Sequence, residues 1–323
     1  MKLSEAKSNN ALAGSRLSKT YTPIAIFVGG TSGIGQRTAE LLAQYTNGNV
    51  HIILVARSRD AAERILEGMV RPLDGRKVLR EFIQSDVALM KNVEIAVTDI
   101  QRLLQVSGLP QRINFLFLSA GYASLRNRRN DTEEGIDHQL ALRYYHRFKV
   151  IQETLPLLHA AKDAGEDAKV ASCLGAGALW PWVPKNDDFG YKKSKNGPAC
   201  HAPFVSAVYG DLAIEGFASR NPGIAFTHMN PWFVRTPQFN RTMQLPEAFW
   251  LANFINPVLT FIWSFFSMSE EESGEYHLYA LLHGEAGPHW RDNRAKEIGL
   301  KDNGVEKEAF WNHSLEETRK RLA

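Results

Sequence analysis

Residues 23–35 read Pro-Ile-Ala-Ile-Phe-Val-Gly-Gly-Thr-Ser-Gly-Ile-Gly. The short unbroken apolar run predicts a strand covered on both faces. The glycines that end it predict a tight turn. The helical spacing of Ile34, Ala39, Leu41 and Leu42 predicts a helix directly after it. Strand, glycine-rich turn and helix in that order suit a phosphate. A helix N-terminus offers unsatisfied N–H groups and a positive dipole end, and residues without side chains let the anion reach the backbone. Gly29 is expected to permit the turn. Gly33 and Gly35 are expected to keep side chains off a pyrophosphate and to let helix and strand pack closely, with Thr31, Ser32 and Ile34 completing the cradle. The alternative is a glycine-rich turn with no ligand.

Working outward, further strands are predicted at 50–55, 78–84, 113–118, 169–174 and 224–229. Helices are predicted at 34–45, 61–70, 90–105, 131–161 and 199–219, the fourth capped by Asp131 with Glu134 three residues on. Strands alternating with helices imply a parallel sheet with helices on both faces. The expected fold is therefore α/β, a Rossmann-type doubly wound sheet. No repeat or linker divides the chain, so a single domain is expected. Residues 1–20 read as a polar extension, and 305–323 as a surface helix carrying Phe310, Trp311, Leu315 and Leu322.

The composition fits this reading. Of 323 residues, 44% are hydrophobic and 23% charged, which excludes disordered and fibrous classes. Lys and Arg number 38 against 35 Asp and Glu, so no global charge supports nucleic-acid binding. Two cysteines, Cys173 and Cys200, can build neither a disulfide framework nor a four-ligand zinc site, and no metal is expected. A reducing, cytoplasmic setting fits them. The first 20 residues lack the apolar stretch of a secretory signal.

The loop Gly29–Gly35 resembles T-G-x-x-x-G-[IV]-G, the signature of the short-chain dehydrogenase/reductase family, with Val28 where that pattern has Thr. The resemblance extends over about 23–282 and is nearest to a divergent fungal branch associated with secondary metabolism. It implies NAD(P)-linked interconversion of a carbonyl and an alcohol. After the second strand, Arg57, Ser58 and Arg59 stand where an NAD site usually has an acid. Guanidinium and hydroxyl groups suit a 2′-phosphate, so NADP(H) is the expected cofactor, with a solvated basic turn as the alternative. Asp86 matches the family's adenine-contacting acid. It could equally cap a helix. Ala120 and Gly121, in Ser119-Ala120-Gly121, match the end of the family's N-N-A-G, although both asparagines are absent. Pro231, Val234 and Thr236 match P-G-x-V-x-T, with Trp232 in place of its glycine.

The catalytic pattern is incomplete. The family uses Ser, Tyr and Lys with a supporting helix Asn. Tyr191 and Lys195 have the Y-x-x-x-K spacing, which would put both on one helix face. A second register, fixed by Asp211–Glu215, places the Tyr slot near Gly197 and the Lys slot near His201, an imidazole able to serve as acid or base. The Ser slot falls on Gly175, Ser172 stands where the family often has Asn, and the helix Asn slot falls on Arg143. Arg143 cannot act as a base but could neutralise an oxyanion or hold an anionic group.

Residues 248–268 carry no charge and many aromatic side chains. Asn256-Pro257 suggests two short helices meeting there. The resemblance makes about 238–268 a substrate lid, which implies a bulky hydrophobic substrate. A homodimer or membrane-surface contact through 248–268, or a membrane anchor, are the alternatives. Three functions follow. The first is an NADP(H)-dependent oxidoreductase acting on a hydrophobic natural product. The others are an enzyme of the same fold without net redox chemistry (isomerase, dehydratase or cyclase) and a non-catalytic NADP-binding protein.

Overall fold

The computed structural model describes residues 1–122, 129–177, 188–193, 202–237, 256–257, 266–300, 302 and 304–319. Helix α1 (Leu3–Thr20) precedes β1 (Ile24–Val28), α2 (Gly33–Tyr45), β2 (His51–Ala56), α3 (Arg59–Gly68), β3 (Arg80–Gln84), α4 (Met90–Val106) and β4 (Phe115–Leu118). Next, α5 (His138–Leu140) runs through a π-helical turn (Ala141–Tyr145) into α6 (His146–Asp163). Then come β5 (Lys169–Cys173), α7 (Ala202–Arg220), β6 (Ala225–Met229), α8 (Glu270–Leu282), β7 (Gly287–Arg291) and α9 (Lys307–Arg319).

The strands form one sheet in the order β3-β2-β1-β4-β5-β6-β7, every neighbouring pair parallel. Side chains alternate along each strand. Phe27 and Phe117 face α2 and α8, while Ile26 and Leu116 face α4, α6 and α7. Both faces of the inner strands are therefore buried, which is why β1, β2 and β4 read as continuous apolar runs. Val28 is level with Leu118, and Leu118 with Ser172. The loops leaving β1, β4 and β5 consequently emerge side by side, at the point where strand order reverses.

Helix α1 is not predicted from the sequence. It is polar, and it docks through small groups. Ala6, Ala13, Gly14 and Leu17 are buried, and Asn10 donates to the carboxylate and carbonyl of Glu275 at 2.9 Å. A Cβ at Gly14 would collide with the Tyr45 carbonyl, so glycine allows the close approach of the two helices. Strand β7 also escapes prediction, because Gly-Pro-His-Trp-Arg has no apolar run. Its proline is tolerated at the sheet edge.

The fourth predicted helix starts later than expected. Asp131 does not cap it but pairs with Arg129 at 2.6 Å. Asp137 is the cap, accepting from the amides of Gln139 and Leu140 at 3.0 and 3.1 Å. Glu134 serves a different helix. Its carboxylate accepts from the amides of Met90 and Lys91 at 2.6 and 2.9 Å, closing the α4 N-terminus, which has no side-chain cap of its own. The C-terminal helix α9 packs against the body. Phe310 is buried, Trp311 stacks under Arg220 at 4.2 Å, and Ser314 bonds the Tyr144 hydroxyl at 2.6 Å on the π turn. Leu322 lies outside the described residues. No described helix is long and apolar enough to cross a membrane.

Candidate active site

The C-terminal ends of β1, β2, β4 and β5 open onto a cavity of about 1230 Å³. The loop Gly29–Gly35 forms its centre. Gly29 has φ +94°, and a Cβ there would collide with the Ala120 amide. A Cβ at Gly35 would collide with the Ser119 hydroxyl. These two glycines thus let the β1 and β4 loops touch, a demand made by the protein itself and not only by a pyrophosphate. Ser32 precedes α2 without a side-chain cap, so the helix-end amides are left to whatever fills the cavity. Gly33 lies against Thr236, whose methyl would be 3.0 Å from an added Cβ, so the loop after β6 meets the phosphate loop.

One end of the cavity is bounded by Arg57, Ser58, Ser85 and Asp86, with a side pocket of about 320 Å³ lined by Arg57, Gln84 and Asp86. The exposed Arg57 guanidinium engages no described residue. Ser58 caps α3, accepting from Ala61 at 3.4 Å. Asp86 accepts from the Ala88 amide at 3.1 Å, so its turn-forming role holds beside its place on the wall. Arg59 is turned away, 3.5 Å from Glu63 and over the Phe82 ring. A pyrophosphate cradle at the centre and a cationic, hydroxyl-bearing rim beside β2 fit a phosphorylated dinucleotide.

The other end carries Ala120, Gly121, Tyr122, His138, Gln139, Leu142, Cys173 and Thr236. The Tyr122 hydroxyl and His138 Nδ1 are 3.0 Å apart, and their rings meet edge to face at 5.4 Å. Burial pushes the Cys173 thiol up to about 12, so it is no thiolate nucleophile. Behind this end lie two arginines, Arg147 buried and Arg143 half-buried. Arg143 is in the π turn, with Nε donating to Ser206 Oγ at 3.0 Å and Nη1 to the Tyr122 carbonyl at 3.4 Å. Burial brings it down to about 10. Arg147 is one turn further along α6, and burial brings it down to about 9.

Most expected cofactor residues converge here: Gly29 and Thr31 to Gly35, Arg57, Ser58, Asp86, Ala120, Gly121 and Thr236. Pro231 and Val234 are not among the described lining residues. Val234 is buried and bridges to Met268. Trp232, in the motif's glycine position, keeps a left-handed backbone with φ 55° and a side chain 61% exposed.

The expected catalytic residues do not gather in the same way. Tyr191 is not among the described residues lining the cavity. It packs against the core on the α6–α7 side. Burial, and then Asp188, raise its phenol, the opposite of what an acid near neutrality needs. Its φ of 52° and the Arg129 bond to its carbonyl at 2.8 Å set it in a turn and not on the predicted helix face. Lys195, Gly197 and His201 lie outside the described residues. Arg143 is not on the described lining either; its described partners include Ser206 and the Tyr122 carbonyl. The Gly175 amide is 3.4 Å from His228 Nε2, and an added Cβ would lie 3.0 Å from the Ala207 methyl, so the serine slot is packed from below. Ser172 accepts from Arg147 at 2.8 Å, a structural contact.

Sequence reasoning missed Tyr122, His138 and Arg147. The signal for Tyr122 was its position directly after Ala120-Gly121. That for His138 was hidden by starting the helix at Asp131.

Residues 23–183 match the model of the family described as short chain dehydrogenase. The chain is 34% identical over 260 residues to Oxidoreductase AN1596 of Emericella nidulans, covering 80% of this chain and 71% of that protein. It is 30% identical over 256 residues to Oxidoreductase andH of Emericella variicolor, covering 79% and 68%. Among solved structures, L-sorbose reductase from Gluconobacter frateurii, complexed with NADPH and L-sorbose, superposes with a TM-score of 0.60 at 16% identity, over 86% of this chain and 98% of that one. Phosphate loop, strand order and sequence likeness agree: the chain belongs to the short-chain dehydrogenase/reductase family of oxidoreductases.

Proposed function

We propose that this protein is an NADP(H)-dependent oxidoreductase that interconverts a carbonyl and an alcohol on a bulky apolar natural product. The observation that carries the reading is one continuous cavity. It runs from Arg57 and Ser58, past the phosphate loop, to the Tyr122–His138 pair. Arg57 and Ser58 would hold the adenosine 2′-phosphate, the α2 N-terminus the pyrophosphate, and Ala120 and Gly121 the nicotinamide ribose. Bound NADPH supplies a hydride to the substrate's carbonyl carbon. As the C=O π pair moves onto oxygen, that oxygen needs a proton. Tyr122 Oη holds one at the cavity wall. In the tautomer with the proton on His138 Nδ1, that N–H would donate to Oη and stabilise the developing phenolate.

The lid reading is supported by the ends of the segment beyond Pro237. The Arg235 amide donates to the Met268 carbonyl at 3.0 Å and the Met268 amide to the Phe233 carbonyl at 2.8 Å. The chain therefore leaves and re-enters beside Thr236 and Pro237, at the cavity rim.

The test is NADPH and NADH binding by the full chain, followed by NADPH oxidation with bulky apolar ketones and quinones such as 9,10-phenanthrenequinone. NADPH-selective turnover is the expected result. A specific observation favours a second reading, an enzyme without net redox chemistry: Gly175 occupies the serine slot and cannot polarise a carbonyl. Tight NADPH binding with no oxidation across the whole panel would favour it.

A further inference from the structure

We propose that Arg147 makes this cavity selective for the reduced cofactor, so that NADPH binds more tightly than NADP⁺ and the protein is poised as a reductase. The inference rests on the NADP(H) reading above and extends it to the redox state of the ligand.

Arg147 is 4% exposed. Its Nη1 donates to the Leu118 carbonyl at 3.0 Å, the Ser172 hydroxyl at 2.8 Å and the Cys173 carbonyl at 2.9 Å, and its Nη2 to the Ala120 carbonyl at 2.6 Å. All four acceptors are neutral. Among the described residues no carboxylate lies within ion-pair distance of it. The titratable groups acting on it are the Cys173 thiol and the like-charged Arg143 guanidinium. A buried cation normally keeps a counter-charge, because desolvation of an unpaired one is expensive. Tying strand ends together needs hydrogen-bond donors but no charge.

The position of that charge gives it a use. Its acceptors end β4 and β5, the strands beneath the half of the cavity away from Arg57 and Asp86. Ala120, Gly121 and Cys173 line that half. A Cβ added to Gly121 would be 3.5 Å from Arg147 Nη2, so a single glycine separates guanidinium from cavity. With the pyrophosphate on α2 and the adenosine beside β2, the nicotinamide falls on this side.

Other charges lie nearby: Arg143 adds to the effect, the Asp137 carboxylate on the cavity wall opposes it in part, and no described carboxylate is within ion-pair distance of Arg147. The Asp137 carboxylate is bound by the amides of Asn130, Gln139 and Leu140 at the start of α5. Asp211 is paired with His228 at 2.7 Å, and Asp86 is at the adenosine end. NADPH and NADP⁺ share the same phosphates and differ at the ring, which is neutral when reduced and cationic when oxidised. A fixed positive charge beneath that half of the cavity, in a weakly polarisable interior, would disfavour the cation by a factor on the order of ten or more.

The test is the ratio of dissociation constants for NADP⁺ and NADPH, measured by calorimetry on the full chain for the wild type, Arg147→Lys, Arg147→Gln and Ser172→Asp. The wild type should prefer NADPH about tenfold or more, and Arg147→Lys should keep that preference. Arg147→Gln removes the charge. Ser172→Asp leaves the guanidinium in place and sets a carboxylate against it, so it covers the case in which Arg147→Gln does not fold. Both should lower the ratio clearly, chiefly by strengthening NADP⁺, with Arg143 retaining part of the preference. Equal affinities in the wild type, or a preference undiminished in either folded neutralised variant, would overturn the inference and leave the NADP(H) reading standing. Failure of the wild type to bind either form would remove that reading, and this inference with it.

Discussion

The two halves of the cavity are built on different principles. On the side of β1, β2 and β3, binding depends on the backbone: glycines at the crossing of two loops, a helix N-terminus, and a short polar turn after β2. On the side of β4, β5 and β6, the outcome depends on side chains meeting from distant parts of the chain. There the sequence pattern sets Gly175 in the family's serine slot and Arg143 in its asparagine slot, and the polar pair on the wall is Tyr122 with His138. The first half keeps the family pattern. In the second, the proposed function puts the chemistry on other positions of the same scaffold. Backbone cradles tolerate little change, because their atoms cannot be relocated, whereas a proton donor can be supplied from any element that reaches the cavity.

The hardest break in this comparison comes from the backbone side. Gly29→Val would force a branched side chain into a left-handed position and onto the Ala120 amide. NADPH binding should be lost completely in calorimetry. Binding within a few-fold of wild type would mean that the two loops are not held together as described. On the side-chain half, Tyr122→Phe should lower NADPH oxidation by roughly 10²–10⁴-fold while leaving NADPH affinity nearly unchanged. Tyr191→Phe should have little effect on turnover. The reverse pattern would return the acid to the Tyr191 register.

What the sequence discloses follows the same division. The inner strands are legible because they are buried on both faces, and the phosphate loop because its glycines follow one of them. Arg57, Ser58 and Asp86 are legible for the same reason, being the first residues beyond predicted strands. The catalytic half is obscured by tertiary substitutions that leave no local pattern. Glu134 looks like part of a capping box at Asp131, yet it caps α4, 44 residues earlier in the chain. That single misreading moves the helix start by about two turns and hides His138 from view. Helix α1 and strand β7 are missed because small and polar residues, not an apolar stripe, make their contacts.

A milder break probes the adenosine end. Arg57→Ala should weaken NADPH by about tenfold to a hundredfold, the scale of a charge-assisted phosphate contact, and leave NADH affinity unaltered. Equal losses for the two cofactors would show that Arg57 serves the loop and not the 2′-phosphate. Because its guanidinium has no described partner, stability should change little, and a melting temperature distinguishes the two effects.

The smallest expected effect asks whether the two faces of the sheet respond alike to acid. His146, beside Arg147 on α6, is held neutral by burial, down to about 3. His277 on α8, its ring edge-on to Phe117, is held down to about 4 for the same reason. In the unfolded chain both would titrate near 6.5. Below that value the unfolded state binds protons that the folded state refuses, so stability is complete above about pH 6.5 and falls as the pH drops towards the folded values. At pH 5 each histidine should cost about 2 kcal/mol relative to pH 7. Urea denaturation at the two pH values measures the sum, and His146→Gln or His277→Gln should each remove one share of the acid slope. Equal shares would mean that burial alone sets the response on both faces. A smaller share for His146 would mean that the proton is partly accommodated beneath the cavity despite Arg147, and that the floor is less hostile to added positive charge than its buried guanidinium implies.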